Sequence, residues 1–339
     1  MKKVFPFLSL IIALVIVSCS SDDNDKVVQS SLNSITSFKI NFEGLSEDDV
    51  IYDLGNNITI SVPFKTDITG LVPNITISDK ATISPASGEA VNFVDGEAMP
   101  FTVTAENGDE KVYNVTINIR GEVGSGSKIK SYKEASSTFG DILIEYRYDE
   151  VSNFVKSYDY TEGGNKTTFD LIFNDKNQII EKRSDDDNVV TYTYNDLGLI
   201  ASAVEKKEGK ALYSYTYTYD DNQRLVKNVR ETKEDGSITN TSYTYNKEGN
   251  VASLTIGTEE YKSTYDKKNN PFKGIYPEAF AKINISASLN GVNVNNPIKG
   301  TFSYDTDVTI EYNTDDYPVT ASYVLFGTYN FDITYTYFD

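Results

Sequence analysis

The chain has 339 residues, carries 31 Lys and Arg against 50 Asp and Glu for a formal charge of -19, and contains no His, no Trp and one Cys. Without His there is no Ser-His or Cys-His catalytic pair and no His-ligated metal, and one Cys allows neither an internal disulfide nor a Cys-rich zinc site. The acidic balance argues against nucleic acid as a partner, since such binding draws most of its affinity from Lys and Arg. The length suggests two domains.

Lys2 and Lys3 precede an apolar run over residues 4–17, broken only by Pro6 and Ser9. The run has at most 14 residues. A membrane-spanning helix needs roughly 20, so residues 1–18 read as a secretory signal. Its end, Ile16-Val17-Ser18-Cys19, resembles the lipobox of bacterial lipoproteins. The resemblance implies that Cys19 is lipidated, becomes the N-terminus and anchors the protein to its membrane. Cleavage there removes two Lys and leaves 29 basic against 50 acidic side chains, or -21. That charge repels anionic head groups, so lipid rather than a basic patch must hold the protein. Residues 19–31 read as a tether, which from Ser20 onward could extend about 40 Å. Its acidic cluster, Ser20-Ser21-Asp22-Asp23-Asn24-Asp25, resembles the surface-export signal of Bacteroidetes lipoproteins. That likeness implies an outer-membrane protein on the extracellular face.

Residues 32–120 give strand signals. Ile35-Thr36-Ser37-Phe38-Lys39-Ile40 and Ile58-Thr59-Ile60-Ser61-Val62 alternate at period two, and shorter runs follow at Ile75-Thr76-Ile77 and Ala81-Thr82-Ile83. Phe101-Thr102-Val103-Thr104-Ala105 leads into Asn107-Gly108, a strong hairpin signal, and Tyr113, Val115, Ile117 and Ile119 alternate beyond it. These short strands predict an antiparallel sandwich. The phrases Ile83-Ser84-Pro85-Ala86-Ser87-Gly88 and Thr102-Val103-Thr104-Ala105-Glu106-Asn107-Gly108-Asp109 resemble Ig-like modules of Bacteroidetes surface lipoproteins, a likeness that implies a stalk or binding module and no activity. Residues 121–130 then read as a Gly/Ser linker, beginning Gly-Glu-Val-Gly-Ser-Gly-Ser.

Residues 131–339 repeat themselves. Tyr146-Arg147-Tyr148-Asp149, Leu171-Ile172-Phe173-Asn174, Tyr192-Thr193-Tyr194-Asn195, Tyr217-Thr218-Tyr219-Asp220 and Tyr243-Thr244-Tyr245-Asn246 are versions of one phrase, spaced 25, 21, 25 and 26 residues apart. Weaker copies end at Tyr265-Asp266 and Tyr312-Asn313. Four residues after each marker aromatic, in the polar turn, stand Ser152, Asn177, Gly198, Gln223, Gly249, Asn269 and Asp316, of which five are Gly, Asn or Asp, the residues that best tolerate a left-handed backbone. An apolar return strand follows each turn, as at Ile179-Ile180, Leu199-Ile200 and Leu225-Val226, so the expected architecture is a long antiparallel meander. Tyr217-Thr218-Tyr219-Asp220-Asp221-Asn222-Gln223-Arg224-Leu225 resembles the YD repeat of Rhs-type proteins, with Gln223 where Gly is usual. The repeats are few for the closed cocoon that the resemblance would otherwise imply. An open sheet, a solenoid turn and a partial barrel all stay open, with a strongly twisted open sheet preferred because long flat sheets are unusual. A short helical turn is predicted over residues 277–281 and a loop or irregular hairpin over residues 283–296.

Tyr213, Tyr215, Tyr217 and Tyr219 share strand parity, opposite Ser214, Thr216 and Thr218. They form either a platform for a flat ligand such as a sugar or, as preferred here, the core of an aliphatic-poor sheet. Asp185-Asp186-Asp187-Asn188 and Asp220-Asp221-Asn222 lack calcium-loop spacing and read as solvated turns. A carboxylate pair is the one acid/base mechanism compatible with zero His, but no two acids can be nominated.

The expected fold class is thus all-β, an N-terminal Ig-like antiparallel sandwich plus a C-terminal YD-repeat-like antiparallel β-meander. No catalytic residue, metal ligand or cofactor is assigned; Cys19 is the lipid anchor, and the ligand-binding residues and oligomeric state stay open. The expected function is a non-enzymatic binding or scaffold module for a glycan or a protein partner, with electrostatics favouring neutral or cationic ligands. The alternatives are a carboxylate-dependent glycan hydrolase and a purely structural or adhesive surface protein.

Overall fold

The structure, a computed structural model, describes residues 28–55, 57–300 and 306–338. The signal segment 1–18, the Cys19 anchor and the tether up to residue 27 lie outside the described residues. The protein is nearly all β, at 53% strand and 3% helix, with antiparallel sheets as expected. It separates into two compact units, one made of most of residues 28–117 and one built chiefly from residues 118–338.

In the first unit, β1 (Ile35–Ile40) and β4 (Pro73–Ile77) form one sheet. The other sheet has the order β2-β3-β7-β6-β5. Its strands are β2 (Ile51–Leu54), β3 (Asn57–Val62), β5 (Thr82–Ser84), β6 (Ala98–Thr104) and β7 (Glu110–Ile119). The period-two residues Ile58, Ile60, Val62, Tyr113, Val115 and Ile117 are buried, and Phe38 meets Phe101 edge-on at 5.4 Å. The β6–β7 turn uses Gly108 at φ 90°, with Ala105 N–H donating to Asp109 O at 2.8 Å. Strand β2 has no sequence counterpart because none of its residues is buried, so burial never imposed an alternation on it.

The second unit opens with β8 (Ile129–Ala135), β9 (Ile142–Tyr148), β10 (Val155–Glu162) and β11 (Asn165–Phe173). Next come β12 (Ile179–Ser184), β13 (Asn188–Tyr194), β14 (Ile200–Lys207) and β15 (Lys210–Tyr219). Then follow β16 (Leu225–Thr232), β17 (Ile238–Tyr245), β18 (Val251–Ile256), β19 (Glu259–Lys262) and β20 (Thr264–Tyr265). Helix α1 (Glu278–Ile283) precedes β21 (Pro297–Lys299), β22 (Val308–Tyr312), β23 (Pro318–Leu325) and β24 (Tyr329–Tyr337). Strands β8 to β19 form a sequential meander, and the last strands add to its start in the order β8-β24-β23-β22.

The expected open sheet is replaced by a ring. One residue separates β19 from β20, and its N–H, on Ser263, donates to Ala252 O of β18 at 3.2 Å. Strand β20 pairs with β21 through Thr264↔Lys299 and Tyr265↔Pro297. Strand β21 in turn meets β22 through the antiparallel bridge Lys299↔Asp307 and the Gly300 N–H bond to Thr306 O at 3.1 Å. The Tyr312 hydroxyl donates to the Asp266 carboxylate across the same seam. Closure satisfies the backbone groups that two sheet edges would leave open.

Five of the repeats turn in the same way. The Asn or Asp after the marker aromatic accepts backbone N–H groups two and four residues on, because its side-chain oxygen has lone pairs for both. Asn195 Oδ1 takes those of Leu197 and Leu199 at 3.1 and 3.0 Å, and Asp220 Oδ1 those of Asn222 and Arg224 at 3.0 and 2.8 Å. Asn174, Asn246 and Asn313 do the same. Asn177, Gly198, Gly249 and Asp316 have the positive φ that their residue types tolerate, and Gln223 has it too. Ser152 does not, since Asn153 takes that role in its turn, and Asn269 does not because the chain there leaves the meander.

The pairing register slips at each marker: Thr218 faces Lys227, but Tyr219 faces Leu225. The same bulge occurs at Tyr194 and Tyr245. One extra residue bends the strand. The marker hydroxyl then donates to the carbonyl that opens the preceding return strand: Tyr194 to Ile179, Tyr219 to Ile200 and Tyr245 to Leu225, each at 2.7 Å. Tyr148, Tyr265 and Tyr337 repeat the contact on Ile129, Val251 and Pro318. Burial pushes the Tyr265 hydroxyl up to about 12, so it stays a donor at neutral pH.

Gln223 holds φ 58°, where Gly198 and Gly249 stand in the equivalent turns. A left-handed backbone costs an L-residue about 1–2 kcal/mol, partly offset by the extra unfolded-state entropy of Gly. Gln223→Gly is therefore expected to stabilise the protein by about 0.5–1 kcal/mol, read as a rise in Tm of roughly 1–4 °C. An unchanged or lower Tm would contradict this account of the turn.

The ring is filled from within by residues 266–296. Phe272 is 1% exposed and meets Tyr132 and Tyr146 at 6.3 and 6.1 Å, while Phe280 of α1 meets Tyr192 edge-on at 5.5 Å. Val155 N–H donates to Ile275 O at 3.0 Å, and the Tyr335 hydroxyl to Leu289 O at 3.0 Å. Irregular backbone can be buried only if its polar groups find partners. Asn supplies them here: the Asn250 and Asn295 side chains pair at 2.9 Å, Asn293 donates to Ser286 O at 2.9 Å, and Asn296 to Asn269 O at 3.0 Å. The Asn-rich stretch expected as a loop is thus a buried plug, and the predicted helical turn is α1.

Residues 121–127, whose composition reads as a linker, are seated on the second unit. Gly124 N–H donates to Ser152 O at 2.8 Å, and Asn177 Nδ2 to Glu122 O at 2.7 Å. A Cβ on Gly124 would lie 2.8 Å from Asn153 O, and one on Gly126 would strike Lys273 O, so Gly serves close approach here.

Candidate functional site

Cross-strand neighbours share a sheet face, so the strand register decides which side chains enter the ring together. Tyr192, Ala203, Tyr215 and Arg230 stand in one inward row, and Leu171, Lys182, Val190, Glu205 and Tyr213 in another. The same-parity tyrosines of β15 therefore face the interior, and Thr216 and Thr218 are exposed outside. Tyr217 packs against the buried core, as the structural reading of these rings expected. The outer rows carry Glu181, Thr191, Val204 and Ser214, and Thr193, Ser202, Thr216 and Val229, polar at six of these eight positions. A barrel immersed in lipid needs an apolar outer band, and this face is polar. Among the described residues no helix is long and apolar enough to cross a membrane.

Between the plug and the wall formed by β9 to β12 lies a cavity of about 450 Å³, within the ~300–1,000 Å³ usual for small-molecule sites. Its wall side presents Tyr146, Tyr158, Tyr160, Phe169 and Lys182. Tyr158 and Phe169 stack at 4.9 Å, and Lys182 Nζ lies 5.4 Å from the Phe169 ring centre. The plug side presents Phe272, Tyr276 and Phe280 and the polar side chains of Asn284, Ser286, Ser288 and Asn290. Ser288 is hydrogen-bonded to Ser286 at 2.9 Å and donates to Asn290 Oδ1 at 2.8 Å, which holds these groups as one polar strip. Burial pushes the Tyr158 and Tyr276 hydroxyls up, and it pushes the Lys182 ammonium down against a smaller opposing effect of Glu205. No carboxylate lines this cavity.

The acids gather elsewhere. Glu122 and Glu278 share a second cavity of about 350 Å³ with Arg224, Lys273 and Lys282. The Glu122 carboxylate accepts the Glu278 N–H at 3.0 Å and so caps the start of α1, while Glu278 pairs with Lys282 at 2.7 Å. Burial raises the pKa of Glu122, and the Glu278 charge adds to the shift against the capping hydrogen bond. Both acids are occupied in holding the helix. Of the acidic turn clusters, Asp220 bonds its own turn and Arg224, and Asp186 pairs with Lys207 at 2.9 Å and with Ser184. Among the described residues no group of three or more acids is arranged to hold a metal ion.

Residues 35–117 match the family model described as SGBP, N-terminal, over the stretch in which the sequence resembles Ig-like modules. No curated protein matches the chain. Among solved structures the chain is similar to a porin-like protein from Bacteroides uniformis ATCC 8492, at 16% identity over 63% of this chain and 99% of that one, with a TM-score of 0.44. A putative glycoside hydrolase from Bacteroides thetaiotaomicron VPI-5482 shares 16% identity over 64% and 83%, with a TM-score of 0.24. The Tc holotoxin pore of Photorhabdus luminescens shares 10% over 79% and 15%, with a TM-score of 0.22.

Proposed function

We propose that the protein is a surface glycan-binding lipoprotein without catalytic activity, anchored through Cys19, and that it takes a sugar chain in the cavity between the plug and β9 to β12. The observation that carries this reading is the cavity lining. Phe169, Tyr158 and Tyr160 line its wall side, and Ser286, Ser288 and Asn290 line its plug side. Sugar rings offer the matching surfaces, C–H faces for stacking and hydroxyls for hydrogen bonds. The match of residues 35–117 to SGBP, N-terminal, a family of Bacteroidetes surface glycan-binding proteins, supports the same reading. Hydrolysis of a glycosidic bond would need two carboxyls at the site. None lines it, and Glu122 and Glu278 are committed to α1.

The test is calorimetry of residues 20–339 against a panel of oligosaccharides. Binding by at least one, weakened tenfold or more by Phe169→Ala, is the expected result. Phe169 lies outside the main buried cluster, so the variant should fold. A well-folded protein that binds no sugar would overturn the proposal and favour a protein partner or a structural role.

A further inference from the structure

A protein of charge -19 would be expected to line its cavities with acids, and this one does the opposite at the proposed site. The cavity holds one charged side chain, Lys182, and no carboxylate. Lys182 makes no ion pair among the described residues; the Phe169 ring 5.4 Å away is its contact. Glu205, which faces inward two strands on, has its carboxylate engaged by the Tyr215 hydroxyl at 2.7 Å and by Asn188 Nδ2 at 2.8 Å. A partly buried ammonium that Glu205 attracts from two strands away without forming an ion pair is only weakly compensated, because buried charges are normally paired directly. Burial lowers its pKa, as expected for a cation kept from water and from a partner. Perturbed groups of this kind concentrate at binding sites.

We propose that the ligand of this cavity is an acidic sugar, whose carboxylate or sulfate pairs with Lys182 while its ring lies against the aromatic wall. The inference rests on the glycan-binding reading above and narrows it. It departs from the expectation from net charge alone, which favoured neutral or cationic ligands. The two scales are compatible. The net charge of -19 acts over roughly a Debye length of 8 Å and more, and repels a densely charged polyanion. Lys182 acts at contact, so the favoured ligand carries isolated acidic residues within a neutral chain.

The test uses matched pairs: uronate-containing oligosaccharides beside their carboxyl-reduced counterparts, and sulfated ones beside their desulfated counterparts. For at least one pair, removal of the acid group is expected to weaken binding tenfold or more in the native protein, and Lys182→Gln should abolish the difference. Lys182→Met should meanwhile leave the Tm of the free protein equal or higher, since it replaces an unpaired cation by an apolar chain. Equal binding within every pair would overturn the inference and leave the glycan-binding reading standing. Discrimination that survives Lys182→Gln would also overturn it. Absence of binding to any member would overturn both.

Discussion

Truncating Phe272 to Ala is expected to destabilise the second unit by about 3–5 kcal/mol, the range for deleting a buried aromatic ring and leaving its cavity. Phe272 is 1% exposed, and it reaches Tyr132 of β8 and Tyr146 of β9 from the plug. The ring wall therefore depends on a segment that contributes no strand to it between Tyr265 and Pro297. With no Trp, and 23 of the 25 Tyr beyond residue 120, tyrosine fluorescence during urea unfolding reports mainly on this unit. A loss below about 1 kcal/mol would show that the plug is a surface loop, and the interior packing described above would fall with it.

Removing the Asp159 carboxylate should cost about 1.5–3 kcal/mol, the range for hydrogen bonds to a charged group. Asp159 is 5% exposed and accepts both terminal nitrogens of Arg147 at 2.9 and 2.8 Å, Lys166 at 2.5 Å and Thr168 Oγ1 at 2.9 Å. Arg147 and Lys166 are themselves about half exposed, which keeps the cost below that of a fully buried pair. The Arg147 guanidinium, helped by Lys166 and Thr168 against desolvation, holds the Asp159 carboxyl well below the ordinary carboxylate range. A folded-state pKa depressed in this way contributes stability above the unfolded value of about 3.9 and loses it as pH falls below that value. Urea midpoints from pH 7 to pH 3 should thus decline less steeply for Asp159→Asn than for the native chain. Parallel declines would mean that other carboxylates carry the acid sensitivity.

Much of the repeat was legible because its signals are local. Asp or Asn after the marker accepts two N–H groups within its own turn, and the left-handed position four residues on needs nothing from the rest of the chain. Period-two alternation likewise located β1, β3, β6 and β7. Lys182 was hidden by the bulge at Ile180. Strict alternation from Ile179 puts Glu181 and Arg183 inward, but the register Phe173↔Ile179, Ile172↔Glu181 and Leu171↔Lys182 turns Lys182 in instead. Phe169 sat in a plain strand pattern that marks a core and a binding wall alike.

The sequence by itself determined the all-β class, the repeat period, the turn chemistry and the shared parity of the tyrosines, because each is set by residues within about one hairpin of one another. Only the tertiary structure decided that the meander closes. The closing strands β20 and β21 have two and three residues, too short for any periodic signal, and their pairing joins chain segments more than 30 residues apart. It also decided that residues 266–296 fill the ring. Their Asn- and Ser-rich sequence reads as a loop or irregular hairpin, and its burial shows only once the carbonyls and amides that satisfy it, on Asn250, Asn269 and Ser286, are brought beside it. The cavity at the junction of plug and wall follows from both long-range arrangements, and no local pattern in the chain encodes it.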